Sequence, residues 1–166
     1  MAEVFVSIGS NVDRGHNVRE GLRRLAEAYG ALRLSPVYET AAVGFEGDDF
    51  YNLVAAFETE ESPRDVVGRL HAIEAACGRD RNGPRFGPRT LDIDLLLYGD
   101  EVIDTPELKL PRPEITRYAF VLRPLADLAG SRLHPLEGRS YADLWADFEA
   151  PGQEMRAVDF DFTRPE

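Results

Sequence analysis

Residues 91–98 read LDIDLLLY, and the reading of this run decides the fold. Side chains alternate along a strand, so Leu91, Ile93 and Leu95 share one face while Asp92 and Asp94 share the other. Gly99-Asp100 supplies the turn signal that ends the run. Working back from it, Ser62-Pro63-Arg64-Asp65 offers an N-cap, a proline at the first helical position and an acid at the third. Val66, Val67, Leu70, Ile73 and Cys77 continue that helix to Gly78. Asn52 to Thr59 reads as a strand. Leu32 to Thr40 reads as another, interrupted by Pro36, which implies an edge position or a bulge. Val18, Leu22, Leu25 and Tyr29 recur at helical spacing before a capping Gly30. Val4 to Ile8 is a short strand, with Gly9-Ser10-Asn11 read as the turn that follows. The order is β-α-β-β-α-β, an α+β, ferredoxin-like sandwich.

Beyond residue 100 the patterns weaken. Val102-Ile103 reads as a short strand paired with the preceding one, and Phe120 to Leu128 fits strand or helix equally. Ser140-x-x-Asp143 suits the cap of a short helix carrying Leu144, Trp145 and Phe148, and the tail alternates around Val158, Phe160 and Phe162. The expected organisation is a single domain, 1–166, with a core of about residues 1–130 and C-terminal additions from about 131 to 166.

At 166 residues the chain is long enough to bury a substantial core. It has no apolar run near the ~18 residues a membrane helix needs, and its N-terminus lacks the basic and apolar regions of a secretory signal. Cys77 is the only cysteine, which excludes a disulfide framework and makes a reducing cytoplasm the expected setting. A formal net charge of −11 argues against nucleic-acid binding through a basic surface. Lys109 is the only lysine, so no Walker A loop exists, and the protein-kinase lysine, HRD and DFG motifs are missing too. His16, His71 and His134 lack the spacing of zinc ligands.

Against this acidic background, residues 78–94 (GRDRNGPRFGPRTLDID) stand apart. Arg79, Arg81, Arg85 and Arg89 crowd a loop rich in glycine and proline, relieved only by Asp80. Guanidinium forks match phosphate oxygens, and crowded cations call for an anion. A solvated loop paired with surface acids is the bland alternative. Directly behind it, Asp92 and Asp94 lie about 7 Å apart on one strand face. A lone Asp-x-Asp is more often a polar strand face than a metal site. Beside four arginines it suits Mg²⁺, which takes one or two carboxylates together with substrate phosphates. The combination points to phosphoryl transfer from a nucleotide. Phe50-Tyr51-Asn52, the segment Thr40 to Gly44 and Phe86 supply rings and an amide suited to a flat heteroaromatic acceptor. Taken singly, Phe50, Phe86 and Phe120 fit core roles better than a stacking pair.

The chain resembles the 6-hydroxymethyl-7,8-dihydropterin pyrophosphokinases of folate biosynthesis. The resemblance runs from VFVSIGSN at residue 4 to LRPLADL at 122–128 and is most specific over RFGPRTLDIDLLLYGDEVI, residues 85–103. YETAAVG (38–44), FYN (50–52), IEAACGRDR (73–81) and LPRPEITRYAFVLRPL (110–125) add to it. It implies a ferredoxin-like fold and an enzyme that moves pyrophosphate from ATP to the hydroxymethyl group of a reduced pterin, releasing AMP. By position, Asp92 and Asp94 are expected to bind two Mg²⁺ ions with ATP, while Arg79, Arg81 and Arg89 act on the phosphates. Glu74, Arg85, Phe86, Leu95, Arg112 and Tyr118 are expected on the nucleotide side. Thr40, Val43, Phe50, Asn52, Phe86 and Phe120 are expected to form the pterin pocket, the ring lying between Phe86, or its neighbour, and Phe120. Closure of residues 44–49 and 80–88 would exclude water. The partners implied are ATP and a reduced pterin, with no nucleic acid or membrane, for a monomer in the cytoplasm.

The chain departs from the family pattern on the nucleotide side. Arg112 stands where the family has a histidine that contacts ATP, and Tyr118 stands where an arginine is usual. Ala41-Ala42 replaces a common proline-rich pair, while Glu107, Lys109 and His71 occupy positions that often contact adenosine. Arg112 and Arg117 are positioned in sequence to supply the missing cationic contacts. The alternatives are a paralogue with a different acceptor, or a pterin- or nucleotide-binding protein with weakened transfer.

Overall fold

The structure, a computed structural model, describes residues 1–41, 49–78, 90–149 and 151–163. Its elements are β1 (Ala2–Ser10), α1 (Arg14–Tyr29), β2 (Arg33–Leu34), β3 (Val37–Thr40), β4 (Phe50–Thr59), α2 (Pro63–Ala76) and β5 (Asp92–Tyr98). They continue through β6 (Ile103–Asp104), β7 (Lys109–Leu110), a 3-10 turn (Pro113–Thr116), α3 (Ala119–Ala129), α4 (Tyr141–Ala146) and β8 (Met155–Val158). The main sheet runs β5-β1-β4-β3-β8, with β2 alongside β4, and its neighbours are antiparallel. Without β8 this is the split β-α-β arrangement, as expected.

Alternation along the strands builds two apolar layers. Val4, Val6, Ile8, Leu53, Ala55 and Ile93 pack against Val18 and Leu25 of α1 and Val66 and Leu70 of α2. Phe5, Val54, Ala56 and Leu96 face the other way, onto Val121, Leu122 and Leu125 of α3 and Tyr141 of α4. Helices α3 and α4 therefore cover the sheet face that the two crossover helices leave open. A bulge at Phe5/Val6 shifts the β1–β5 register, which lets Leu97 join Leu96 in the second layer.

The local signals are realised with specific bonds. The Ser62 hydroxyl accepts the Asp65 N–H at 3.2 Å, which caps α2 behind Pro63. Ser140 does the same for Asp143 at 3.1 Å and opens α4. At Pro36 the strand breaks into β2 and β3. Proline has no N–H to donate, and Ser35 bridges the gap: its N–H donates to the Val54 carbonyl and its hydroxyl accepts the Val54 N–H, both at 2.9 Å.

Three sequence expectations change. Ile103 pairs with Leu110 across a small β6–β7 hairpin rather than with β5. Gly9 and Ser10 belong to β1 rather than to a turn. The ambiguous 119–129 segment is helical, its stripe being Val121, Leu122, Leu125 and Ala129. Pro124 inside it removes one helical donor, which obscured the period. The tail folds back along the sheet, β8 pairing with β3 from Val37↔Val158 to Thr40↔Met155. Beyond β8, the Arg19 Nε donates to the Asp161 carbonyl at 2.7 Å, and Phe160 meets the Tyr51 ring edge-on at 5.6 Å. No helix among the described residues is long and apolar enough to cross a membrane.

Candidate active site

The strand registers place the candidate residues in a row. Gly9 of β1 sits opposite Asn52 of β4 on one side and Asp92 of β5 on the other. Two strand spacings thus separate the amide from the carboxylate, about 10 Å. Thr40, Phe50, Asn52, Asp92 and Asp94 all belong to the sheet face that α3 covers, as their pairings and the alternation require. Gly9 is the bare floor between them. A Cβ there would come within 2.7 Å of Asn52 Oδ1 and 3.8 Å of the Phe50 ring.

At one end of the row stand the acids. Glu74 is buried on α2, and its Oε2 accepts the Ile93 N–H at 2.9 Å. That bond satisfies an amide of the terminal strand β5 and draws the carboxylate between Asp92 and Asp94. One oxygen from each of Glu74, Asp92 and Asp94 lies within 4.8 Å of the other two. Hard oxygen donors at this spacing fit a Mg²⁺ ion that keeps several waters or phosphate oxygens. Arg112 borders the group: its N–H donates to the Leu96 carbonyl at 3.0 Å, and its guanidinium stands 3.6 Å from Asp94 Oδ1 while pairing with Glu114. The Ser10 hydroxyl donates to the Thr90 carbonyl at 2.6 Å, which pins the entry to β5 against β1.

At the other end lies a small pocket of about 60 Å³ between β3, the start of α3 and residues 152–155. Thr40, Ala41, Ala119, Phe120, Gln153 and Met155 are among its walls. The Asn52 amide donates to the Thr40 hydroxyl at 2.7 Å, which orients its oxygen towards Gly9. Tyr118 stacks on Phe120 at 5.1 Å with the rings 23° apart. Arg14 holds both margins of the segment that leads from Thr40 to Phe50, donating to Glu39 at 2.8 Å and to the Asp49 carbonyl at 2.9 Å. Arg156 and Arg14 together hold the Glu39 carboxyl below the usual carboxylate range.

Thr40, Phe50, Asn52, Asp92, Asp94, Arg112 and Phe120 are thus gathered in one region of the sheet, and Glu74 joins the aspartates there from α2. Tyr118 joins this group stacked on Phe120. Leu95 is not gathered: its side chain lies in the core on the opposite face, among the residues that pack on α1 and α2. Val43, Arg79, Arg81, Arg85, Phe86 and Arg89 lie outside the described residues. Sequence reasoning missed Gly9, whose glycine signature reads as a turn, and Gln153, whose partners are more than thirty positions away.

Residues 5–130 match the family model described as 7,8-dihydro-6-hydroxymethylpterin-pyrophosphokinase (HPPK). The chain is 36% identical over 138 residues to a 2-amino-4-hydroxy-6-hydroxymethyldihydropteridine pyrophosphokinase of Aquifex aeolicus, covering 82% of this chain and 86% of the relative. A protein of the same name from Pseudomonas aeruginosa is 39% identical over 150 residues, covering 86% and 90%. Among solved structures, an HPPK-DHPS in complex with substrates superposes with a TM-score of 0.68 at 12% identity, over 89% of this chain and 43% of that one. The Plasmodium falciparum HPPK-DHPS with STZ-DHP gives 0.69 at 14%, over 89% and 41%. The chain spans less than half of these two solved chains, and at such identity the likeness concerns the fold.

Proposed function

Because the chain belongs to the 7,8-dihydro-6-hydroxymethylpterin-pyrophosphokinase family, an enzyme family, we propose that it transfers pyrophosphate from ATP to the hydroxymethyl group of 6-hydroxymethyl-7,8-dihydropterin and releases AMP. The observation that carries this reading is the single row of residues, with a carboxylate cluster at one end and an amide beside an aromatic pocket at the other. A transfer between two bound substrates needs such a layout: one end holds the polyphosphate, the other aims the hydroxyl, and the floor between them stays clear. Asp92 and Asp94 would hold Mg²⁺, with Glu74 adjoining, and the metal would neutralise charge on the triphosphate.

The chain's own residues do the rest. Arg79, Arg81 and Arg89 are proposed to contact the phosphates, and Arg85 and Arg112 to act on the nucleotide side. Asn52, oriented by Thr40, reads the edge of the pterin, and Phe120 with Phe86 bounds its faces. No protein nucleophile is required, because the acceptor hydroxyl attacks the β-phosphorus and AMP leaves. Positioning and charge stabilisation account for the catalysis. The proximity of Arg112 to Asp94 favours a cationic replacement for the family's histidine over a loss of function.

The test is direct. The protein is mixed with ATP, Mg²⁺ and 6-hydroxymethyl-7,8-dihydropterin, and AMP is followed by chromatography. Pterin-dependent AMP formation that disappears in Asp94→Ala, with the far-ultraviolet spectrum retained, is the expected result. AMP release that does not depend on the pterin, or an Asp94→Ala variant with wild-type turnover at saturating Mg²⁺, overturns it.

A further inference from the structure

The family match ends at residue 130, yet the pocket beside Phe120 is walled on one side by residues 152–155. What attaches that wall is Gln153. Helix α3 begins at Ala119, and its N-cap residue Tyr118 supplies no side-chain cap. The first N–H groups of a helix have no partner inside it. Gln153 Oε1 accepts the Ala119 N–H at 2.8 Å, and its Nε2 donates to the Arg117 carbonyl at 3.1 Å. Both ends of one amide are therefore spent on the two residues that flank Tyr118, and the next residue after Ala119 is Phe120. Two positions further along, Met155 pairs with Thr40, whose hydroxyl receives the Asn52 amide. A continuous path leads from Asn52 through Thr40, Met155 and Gln153 to the first turn of α3.

We propose that Gln153 is a positioning residue for the pterin end of the site, capping α3 from the C-terminal segment and so setting where Phe120 stands. The proposal rests on the pterin reading given above. A glutamine that caps a helix only for stability would affect both substrates alike. One that places Phe120 acts on the pterin alone, because the carboxylates lie on β5 and α2, beyond Gly9.

The experiment uses the full chain and measures KM separately for 6-hydroxymethyl-7,8-dihydropterin and for ATP. Gln153→Met, similar in length but without the amide, is expected to raise the pterin KM about tenfold, as for one lost positioning hydrogen-bond pair, and to leave the ATP KM within about twofold. Gln153→Glu keeps the acceptor for the Ala119 N–H and is expected to stay within about threefold of wild type. In a Phe120→Leu background, Gln153→Met should add less than about twofold, since the two act through one contact. A pterin KM unchanged in Gln153→Met, a parallel rise for both substrates, a Glu variant as impaired as the Met variant, or full additivity with Phe120→Leu each overturns the inference alone. Wild-type protein that forms no AMP with the pterin overturns the functional reading and this inference with it.

Discussion

Gly9 is the residue on which the geometry turns, because it is what the site lacks. Its two cross-strand partners are the amide and the first carboxylate, and a methyl group added between them meets Asn52 Oδ1 at 2.7 Å. Asn52 is buried and already bonded to Thr40, so it has little room to yield. Gly9→Ala should raise the pterin KM at least about tenfold and destabilise the fold by about 1–3 kcal/mol, the range for overpacking, as read by steady-state kinetics and urea unfolding. Arg112 makes the opposite case, a side chain added where the family has another. Its contact with Asp94 leads to the expectation that Arg112→Ala raises the ATP KM or lowers kcat by at least about tenfold, the loss of one charged hydrogen bond. At this scale the sequence was legible wherever chemistry announced itself in residue type. Asp92, Asp94 and Asn52 carry functional groups, and alternation alone set the two aspartates on one face. A glycine carries none, and its role follows only from which residues the register sets beside it.

Among the elements, the strands and the first two helices follow from local period and caps, because each buries a face whose spacing is written in consecutive residues. The less legible parts either lack a periodic signature or have partners outside their own run. Val102-Ile103 looks like a continuation of the preceding strand, but its partner is Leu110, beyond a turn. Helix α3 loses its signature to Pro124 and borrows its cap from Gln153. The turn before α4 depends on a histidine used as an acceptor: buried His134 takes the Leu136 and Glu137 N–H groups on Nδ1, each at 3.1 Å. Burial holds this imidazole below its ordinary value, against the opposing charge of Glu137. The unfolded chain therefore binds the proton more readily, so stability is fully present above the ordinary histidine range. It is lost as pH falls through that range towards the lower folded value. Wild type should show a drop in urea midpoint between pH 7.5 and pH 5.5 that is smaller in His134→Gln.

The whole molecule is a sheet covered on both faces, with the site along one end of its strands and both halves of the chain contributing. Residues 131–166 offered no function to sequence reading, since the contacts that tie them to the rest of the chain are long-range. The structure gives them a share of the second layer through α4, the terminal strand through β8 and the Gln153 wall of the pocket. The pairing of β8 has a kinetic meaning. Glu39 and Arg156 face each other across 117 positions of chain. Closing so long a loop has an entropic cost that is recovered only once β3 is already fixed against β4. The sheet must exist before its last strand can join it, so the cluster of Glu74, Asp92 and Asp94 assembles ahead of the pocket. Refolding should restore the ellipticity of the core before the capacity to bind pterin returns, a lag that stopped-flow mixing can time. The protein would then pass through an interval in which it holds nucleotide without discriminating an acceptor.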